Sequence, residues 1–454
     1  MEFRNLTPFD ALCFSALDIQ DNEYPVVAMK VGYRLVPILD RPGHFNAQVM
    51  DDEPVPLCTA DQYFGEVGHS SVREESDLAP FKPRCDVIIN GHAHAPGGEP
   101  SPHWTAGVRL SVPSAPLLIE VPAPRPSAPG ARLSEQQLMQ WRDARREAEQ
   151  RRANAPTRDI LLDKRLRFCG PRQFEHGLFT GWKLGEPEAA TCVPLRWEYA
   201  FGGSSVLLDP NYPERTADQH LLNHVCYSNP LGRGWIEKRH EKLSWSIDAP
   251  VEQLPAPQIE YTDRPITRLR IVAQPDGNIS AAEMAELSCS LDYQPAGFGV
   301  VGRAWAPRLA LAGTYDHAWQ QERWPGLPED FNFAYWNGAP ADQQISFAPP
   351  NLRIELFNLT PAALTANGQI CVELPGHRPF VLMRMHSGVM LPLPLLTDTL
   401  HIDTDAMTVT LTHRISLPNP DDIRVLEARF ETNPDSPLIK RASPTPICTD
   451  QETF

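Results

Sequence analysis

The chain has 454 residues, of which 42% are hydrophobic and 22% are charged, a composition typical of a folded globular protein that exceeds one ordinary core. Its formal net charge of -16 argues against a nucleic-acid partner, because phosphate binding requires a basic surface. The nine cysteines are far apart and form no C-x-x-C motif, which argues against a zinc ribbon and favours reduced thiols. The 47 prolines argue against long helices and favour many short strands.

The start of the chain has neither the basic residues nor the apolar stretch of a signal peptide. No apolar run approaches the ~20 residues that a membrane-spanning helix needs. We therefore expect a soluble, cytoplasmic protein without a membrane partner.

The first part of the chain is predicted to form strands. Residues 26–36 alternate in their second half, which places Lys30, Gly32 and Arg34 on the face opposite the apolar side chains. Residues 85–89 are apolar and β-branched, and they end at Asn90-Gly91. This pattern predicts a buried strand that is closed by a turn.

A loop rich in charge and proline precedes this buried strand. Glu74, Glu75 and Asp77 place three acids within four positions, and Pro80 and Pro83 fix an extended backbone. Two interpretations remain open. The loop either crosses the fold and leads into a core strand, or forms a rigid surface that binds another chain.

One long helix is predicted after a Pro-, Ala- and Ser-rich linker. Ser134 and Gln137 have the spacing of a capping box, and neither glycine nor proline interrupts residues 135–152. The helix is polar almost all round. This indicates a solvated insertion at about residues 131–154, or an arm that docks onto a partner.

Further elements are predicted from alternation and turn signals. Residues 164–172 form a strand whose cationic face could lie against the acids around Asp77, and residues 193–203 form a core strand. Thr314 is predicted to cap a short helix over residues 315–323, and residues 397–413 resemble a hairpin. The large residues on one side of the core strand are Leu195, Trp197, Tyr199 and Phe201.

The Pro-rich residues 249–263 predict a domain boundary. We expect a β-rich N-terminal domain over residues 1–250, a β-rich C-terminal domain over residues 251–432 and a mobile tail over residues 433–454. The predicted fold class is mainly β, with many short antiparallel strands joined by proline and glycine turns, one long inserted helix and a few short helices.

No catalytic motif stands out. His92 and His94 would share one face of a strand, as a two-histidine metal site requires, but no third ligand has a suitable spacing. A glycine-rich motif at residues 297–302 has the spacing of a dinucleotide fingerprint but no helix of a βαβ unit after it. We predict no catalytic residue, no metal and no cofactor. A metal-dependent hydrolase that uses the two histidines remains the alternative.

Several motifs, collinear over about residues 1–415, resemble a known bacterial family. The most specific are Glu75-Ser76-Asp77-Leu78-Ala79-Pro80 and Pro340-Ala341-Asp342-Gln343-Gln344, and others are Pro194-Leu195-x-Trp197-Glu198 and Trp305-Ala306-Pro307-Arg308. On these residues the chain resembles the family called domain of unknown function 2169, whose members resemble adaptor or chaperone proteins of type VI secretion.

The resemblance implies a cytoplasmic, non-enzymatic protein. It would bind a toxic effector, keep it soluble and help to load it onto a spike of valine-glycine-repeat (VgrG) and PAAR-type proteins. A structural component of the secretion spike or baseplate is a second alternative.

Ten residues in two segments are predicted to bind the client. A rigid loop loses little entropy on binding, and aromatic side chains are favoured at interface hot spots. Core packing is the alternative for both segments. The ten residues are Ser76, Asp77, Leu78, Phe81, Lys82, Phe331, Tyr335, Trp336, Asp342 and Gln343.

Overall fold

The structure is a computed structural model. It describes residues 1–65, 70–115, 119–125, 133–153, 157–177, 181–200, 236–237, 253–267, 271–272, 296–303, 306–365, 367–417 and 422–439. Of these described residues, 42% are in strands and 14% are helical, which confirms the predicted mainly β fold.

Most strands are short; the three longest have 11 to 15 residues and belong to one sheet. The described residues form 25 strands. They are β1 (Glu2–Asn5), β2 (Asp10–Leu17), β3 (Glu23–Pro37), β4 (His44–Val49), β5 (Gln62–Tyr63), β6 (Val72–Glu74), β7 (Cys85–Asn90), β8 (His92–His94), β9 (His103–Pro113), β10 (Arg158–Cys169), β11 (Gln173–Gly177), β12 (Gly181–Leu184), β13 (Cys192–Pro194), β14 (Ile236–Glu237), β15 (Gln253–Pro255), β16 (Ile259–Tyr261), β17 (Ile271–Val272), β18 (Gln344–Ile345), β19 (Arg353–Phe357), β20 (Gln369–Glu373), β21 (Arg378–Met385), β22 (Met390–Pro394), β23 (Leu396–Asp403), β24 (Thr408–Ser416) and β25 (Ile423–Glu431).

The predicted long helix is confirmed as α1 (Glu135–Ala153). Its capping box is formed: the Ser134 hydroxyl accepts a hydrogen bond from the Gln137 amide at 3.1 Å, and the Gln137 side chain accepts one from the Ser134 amide at 3.0 Å. The other α-helices within the described ranges are α2 (Trp197–Ala200), α3 (Ala306–Leu309) and α4 (His317–Glu322). Single 3-10 turns occur at Pro96–Gly98, Ala310–Ala312, Phe333–Trp336, Ala341–Gln343 and Ala362–Leu364. None of the helices in these ranges is both long and apolar enough to cross a membrane.

Twelve strands form one sheet in the order β16-β10-β9-β19-β20-β4-β3-β24-β23-β7-β18, with β2 paired to β3. Strands that precede residue 250 lie beside strands that follow it: β9 pairs with β19, β4 with β20, β3 with β24 and β7 with β23. The sheet therefore spans the boundary predicted between residues 250 and 251. A second sheet, β1-β25-β21-β22, also joins the first strand to the last.

The core follows from strand alternation. On β3, the side chains of Val27, Met29 and Val31 are fully buried in the main hydrophobic cluster, and each contributes roughly 1.5–3 kcal/mol by leaving water. The predicted buried strand is confirmed as β7, which is buried at all six positions. It ends, as predicted, at Gly91, whose φ of 124° favours glycine.

The strand predicted over residues 193–203 is wrong for residues 195–200. After β13 the chain turns into α2, and Phe201 lies outside the described residues. The Trp197 side chain is still buried, because its indole N–H donates to the Val300 carbonyl at 2.7 Å and its amide donates to the Ser71 hydroxyl. Burial is confirmed for Leu195 and Trp197, whereas Tyr199 is only partly buried.

The cationic strand exists as β10, but its predicted partner is wrong. Lys164 is buried and pairs with Asp342 at 2.9 Å, whereas Arg167 pairs with Glu260 at 3.4 Å. Asp77 pairs instead with Lys30 of β3. Sequence alternation gives the face of a strand, but it does not give the neighbour of that face.

The C-terminal elements were predicted in type. The hairpin of β23 and β24 is confirmed, with its turn after Asp403. The short helix α4 is also present, but its cap is Asp316 rather than Thr314, because the Asp316 carboxylate accepts from the Trp319 amide at 2.8 Å. Thr314 instead donates its hydroxyl proton to Asp330 at 2.7 Å. Of the predicted tail, residues 440–454 lie outside the described residues.

Candidate functional site

The two segments predicted to bind a client lie side by side. The ring of Phe81 meets the ring of Phe333 edge-on, with centroids 6.0 Å apart. From Phe333, edge-on contacts continue to Phe331 at 5.3 Å and from there to Tyr335 at 5.9 Å. Tyr335 in turn meets Trp336 at 5.6 Å. Aromatic pairs of this geometry stabilise each other beyond their area of burial. The rings form one cluster through the buried Phe331, and its partly exposed members make up the aromatic surface.

A groove opens beside Phe81 and Phe333, against the turn between β2 and β3. Its volume is about 420 Å³. We call it the aromatic groove, and its lining residues are Asp18, Asn22, Glu23, Tyr24, Phe81, Phe333, Ser416 and Leu417. Phe81 is 42% exposed although it is a large aromatic side chain. The groove therefore offers apolar surface that is accessible to a partner.

A second group of aromatic residues extends this surface. The rings of Tyr315, Trp319 and Trp324 contact each other edge-on at 4.6 and 5.6 Å, and Trp324 is 69% exposed. We call these three residues the aromatic rim. Arg323 attaches the rim to the β2–β3 turn, because its guanidinium pairs with Asp21 at 2.9 Å. Groove and rim are thus held by the same turn.

Buried charges fix the loop that carries Phe81. The Asp77 carboxylate accepts hydrogen bonds from the Lys30 ammonium, the Cys58 amide and the Thr412 hydroxyl at 2.8, 2.8 and 2.9 Å. Lys30 also pairs with Glu74. Since every polar atom of this pair finds a partner, the buried charges are compensated.

The pKa values of this ion pair reflect the arrangement. Burial alone would raise the pKa of the Asp77 carboxyl, but the Lys30 ammonium and the hydrogen bonds outweigh it, and the pKa lies below its ordinary value. Burial alone would lower the pKa of Lys30, but the carboxylates of Asp77 and Glu74 raise it above the ordinary value. Both groups are charged at neutral pH.

A second buried ion pair joins the loop that carries Phe81 to the segment that follows the aromatic turn at residues 333–336. Lys82 donates to Asp86 at 2.9 Å and to the Thr399 hydroxyl at 2.9 Å. Asp86 also accepts from the backbone amides of Gly338 and Ala339, at 2.9 and 3.1 Å. Asp86 therefore connects the loop before β7 directly to the segment after the aromatic turn at residues 333–336.

Glu75 provides a third connection between the segments. Its carboxylate accepts two hydrogen bonds from the Arg308 guanidinium, at 2.7 and 2.8 Å, and one from Arg303 at 3.2 Å. Arg308 is buried and also donates to the Tyr335 carbonyl at 2.8 Å. Such a bidentate pair fixes orientation as well as distance. The aromatic turn is thereby held in one position relative to the acidic loop.

Side chains of β24 form further hydrogen bonds to the loop that carries Phe81. Arg414 donates to the carbonyls of Asp77 and Ala79, at 2.7 and 2.6 Å, and Ser416 donates to the Pro80 carbonyl at 2.9 Å. These bonds satisfy the backbone of a loop whose prolines prevent it from joining a sheet. Phe81 is thus presented from a rigid backbone.

The charged cluster around Lys30 and Lys82 has no room for a substrate. It encloses a cavity of about 30 Å³, approximately the volume of one water molecule. Its charged groups include Glu74, Asp77 and Asp86. Because these carboxylates pair with Lys30 and Lys82, we interpret the cluster as the support of the aromatic surface.

The ten predicted binding residues thus divide into two groups. The side chains of Asp77, Lys82, Phe331 and Gln343 are buried and have partners inside the fold. Their contacts inside the fold support the surface. The other six are at least partly exposed: Ser76, Leu78, Phe81, Tyr335, Trp336 and Asp342. Asp342 pairs with Lys164 and accepts from the Tyr261 hydroxyl at 3.1 Å.

Five aromatic residues of the surface are not among the ten predicted ones. Tyr24 and Phe333 line the aromatic groove, and Tyr315, Trp319 and Trp324 form the rim. The signal for Trp324 was its position before Pro325-Gly326, a turn in which a large apolar residue is left at the surface. Tyr24 gave no such signal, since it begins an ordinary strand.

His92 and His94 lie on β8, as the metal hypothesis required, with ring centroids 6.2 Å apart. His92 is hydrogen-bonded to Asp405 at 2.9 Å. Burial and the neighbouring His92 lower the pKa of His94 below its ordinary value. Within the described ranges, no group of three or more potential ligands is arranged to hold a metal ion.

Comparison with known proteins places the chain in a family. The model of the family described as "Uncharacterized protein conserved in bacteria (DUF2169)" matches residues 20–139 and 141–414. No curated protein and no solved structure matches the chain. The matched residues include both aromatic segments and the buried ion pairs between them. The chain belongs to the DUF2169 family.

Proposed function

We propose that this protein is a non-enzymatic adaptor or chaperone of type VI secretion in the cytoplasm. It binds a toxic effector, keeps it soluble and helps to load it onto the VgrG/PAAR spike. Two lines of argument support the proposal: the family membership together with its resemblance to secretion adaptors, and the chemistry of the aromatic groove and rim.

The observation that carries the proposal is an exposed aromatic surface on a rigid support. Tyr315 and Trp324 are 54% and 69% exposed, and Phe81 is 42% exposed. Aromatic side chains dominate interface energetics, and exposed ones that stand together mark interaction sites. Here they belong to a surface that ion pairs at Asp77, Asp86 and Glu75 hold in place, so little conformational entropy is lost when a client binds.

The charge around the groove indicates the type of client segment. Asp18 and Glu23 line the groove, and Asp21 lies on the same turn. The whole chain has a formal net charge of -16. A client segment with apolar residues flanked by Lys or Arg would therefore match the surface in shape and charge. We propose such a segment as the occupant of the aromatic groove.

Co-expression tests the proposal. The tagged chain is produced together with the proteins that are encoded beside it, and the material that co-elutes is identified and its stoichiometry measured by light scattering. We expect a stable complex with a toxin-like or spike protein. A folded chain that captures none of these proteins, also when purified candidates are added at micromolar concentration, would contradict the proposal.

A further inference from the structure

A second cleft lies away from the aromatic groove, beside the ends of β21, β23 and β24. It has a volume of about 330 Å³, within the range of small-molecule sites. Most of its wall is apolar, with the side chains of Phe347, Pro349, Leu374, Pro379, Leu395 and Leu411. At its edge Leu396 is 48% exposed. The cleft is therefore an apolar chamber that a small ligand can reach from outside.

His413 is a polar group in this apolar wall. It is 3% exposed, and its Nδ1 is hydrogen-bonded to the Thr397 hydroxyl at 2.9 Å. Its Nε2 is buried and has no hydrogen-bond partner among the described residues. Burial lowers the pKa of His413 to about 3, so the ring is neutral at physiological pH. The neutral ring leaves Arg378 as the one charged side chain among the residues that line the cleft.

Arg378 is a second polar group with unmet bonding capacity. Its Nη2 donates to the carbonyls of Asn433, at 2.8 Å, and Ser436. Its Nε is buried and has no partner in the described part of the chain. Nor does any carboxylate of that part form an ion pair with it. A guanidinium is always charged, and a half-buried one without an anion is unfavourable.

These features together define a ligand. We propose that the cleft binds a medium-chain aliphatic carboxylate, with its chain against the apolar wall and its carboxylate paired with the guanidinium of Arg378. An anion at this end would neutralise the guanidinium, and an aliphatic chain would fill the chamber. The positive charge of Arg378 indicates an anionic head group, and the apolar wall indicates an aliphatic chain.

The volume sets the length of the chain. A dry cavity of about 150 Å³ holds benzene, which has six non-hydrogen atoms. The cleft is about twice as large at about 330 Å³ and so accommodates about twelve such atoms. Decanoate has this size. Each methylene that leaves water adds to the affinity, so shorter acids should bind more weakly.

Calorimetric titration of the full chain tests the assignment. Decanoate, octanoate and butanoate are titrated first, and decanol serves as a probe with the same chain and no charge. We expect affinity to rise with chain length, and decanoate to bind at least about tenfold more tightly than decanol, because hydrogen bonds to charged groups are strong. Bound decanoate should also raise the melting temperature in proportion to the logarithm of its concentration.

A matched pair of variants locates the carboxylate. Arg378→Met should weaken decanoate about tenfold or more and leave decanol within twofold. Arg384→Met removes another arginine of β21, one that pairs with Glu427 and does not line the cleft, and should change neither ligand. If Arg378→Met does not fold, the difference in affinity between decanoate and decanol for the natural chain still shows whether the carboxylate is bound.

Three results would overturn the proposal. The first is no heat and no thermal shift with decanoate up to its solubility limit. The second is equal affinity for decanoate and decanol. The third is an unchanged decanoate affinity in folded Arg378→Met. None of these measurements involves the aromatic groove or a client protein, so they are independent of the adaptor proposal.

Discussion

The Asp86 carboxylate accepts a hydrogen bond from the Gly338 amide at 2.9 Å, and this bond joins two segments that are far apart in the chain. Asp86 also pairs with Lys82, which belongs to the loop that carries Phe81. Gly338 directly follows the aromatic turn that carries Phe333. The buried Lys82–Asp86 pair therefore links the two segments whose rings, Phe81 and Phe333, are in contact.

Replacement of Asp86 should destabilise the fold strongly. Asp86→Asn removes the anion that compensates the buried Lys82 ammonium, and breaking a buried pair in this way costs about 3–5 kcal/mol. The free energy of unfolding from urea denaturation measures the effect. As a control, Glu2→Gln breaks the exposed pair of Glu2 with Arg4 and should give no measurable change. Equal stability of both variants and the natural protein would refute the structural role of Asp86.

Gly338 should not tolerate a side chain. A Cβ at this position would lie 2.5 Å from Glu75 Oε2, the carboxylate that holds Arg308. We expect Gly338→Ala to reduce the free energy of unfolding by about 1–3 kcal/mol and to weaken client binding. Gly302→Ala is the matched control, because no atom lies within 4 Å of its Cβ position. A Gly338→Ala protein as stable as the control would count against the close approach at this position.

The aromatic surface should be dispensable for folding and needed for binding. Trp324→Ser and Phe81→Ser remove exposed or half-exposed rings, so we expect losses of at most about 1 kcal/mol in unfolding free energy. If these rings are hot spots, each should weaken client binding at least about tenfold. Leu39→Ser is a control, since this residue is 99% exposed and lies on the β3–β4 turn. Client affinity that is unchanged in both aromatic variants would exclude this surface.

His413 should make stability dependent on pH. Its pKa in the folded state is about 3, and its ordinary value is about 6.5. Below pH 6.5 the unfolded chain binds a proton that the folded chain does not bind, so the contribution is present above pH 6.5 and is lost as pH falls. Between pH 7 and pH 5 the free energy of unfolding should decrease by about 2 kcal/mol from this residue.

The variant His413→Phe removes this dependence while it keeps an aromatic ring in the core. Its unfolding free energy should decrease less than that of the natural protein over the same pH range. His103→Gln, a change at an exposed position on β9, should follow the natural protein. If the free energy of unfolding falls equally with pH in His413→Phe and in the natural protein, His413 is not buried as a neutral ring.

The sequence allowed correct prediction of the elements with strong local signals. The buried strand before Gly91, the capped helix α1 and the final hairpin each carry a period, a cap or a turn that acts over a few residues. The partners of Lys164 and Asp77 were not predictable in this way, because a pairing across the sheet depends on strand order. The main sheet mixes strands from both halves of the chain, and no local pattern encodes that order.

The candidate site was predicted in part for the same reason. The acidic loop and the aromatic segment were both selected, and they do lie together. Four of the ten predicted residues are buried, among them Phe331 and Gln343, and for the two charged ones the sequence had indicated exposure. Asp77 and Lys82 are charged yet buried, since each has an opposite charge in the fold.

Amide hydrogen exchange of the protein alone and in complex with its client tests the central claim most directly. Our account predicts new protection at residues 18–24, at the amides around Phe81 and over residues 315–336, with little change on the far strands β9 and β10. Protection confined to other surfaces, with these segments exchanging as in the free protein, would contradict the claim that the aromatic groove binds the client.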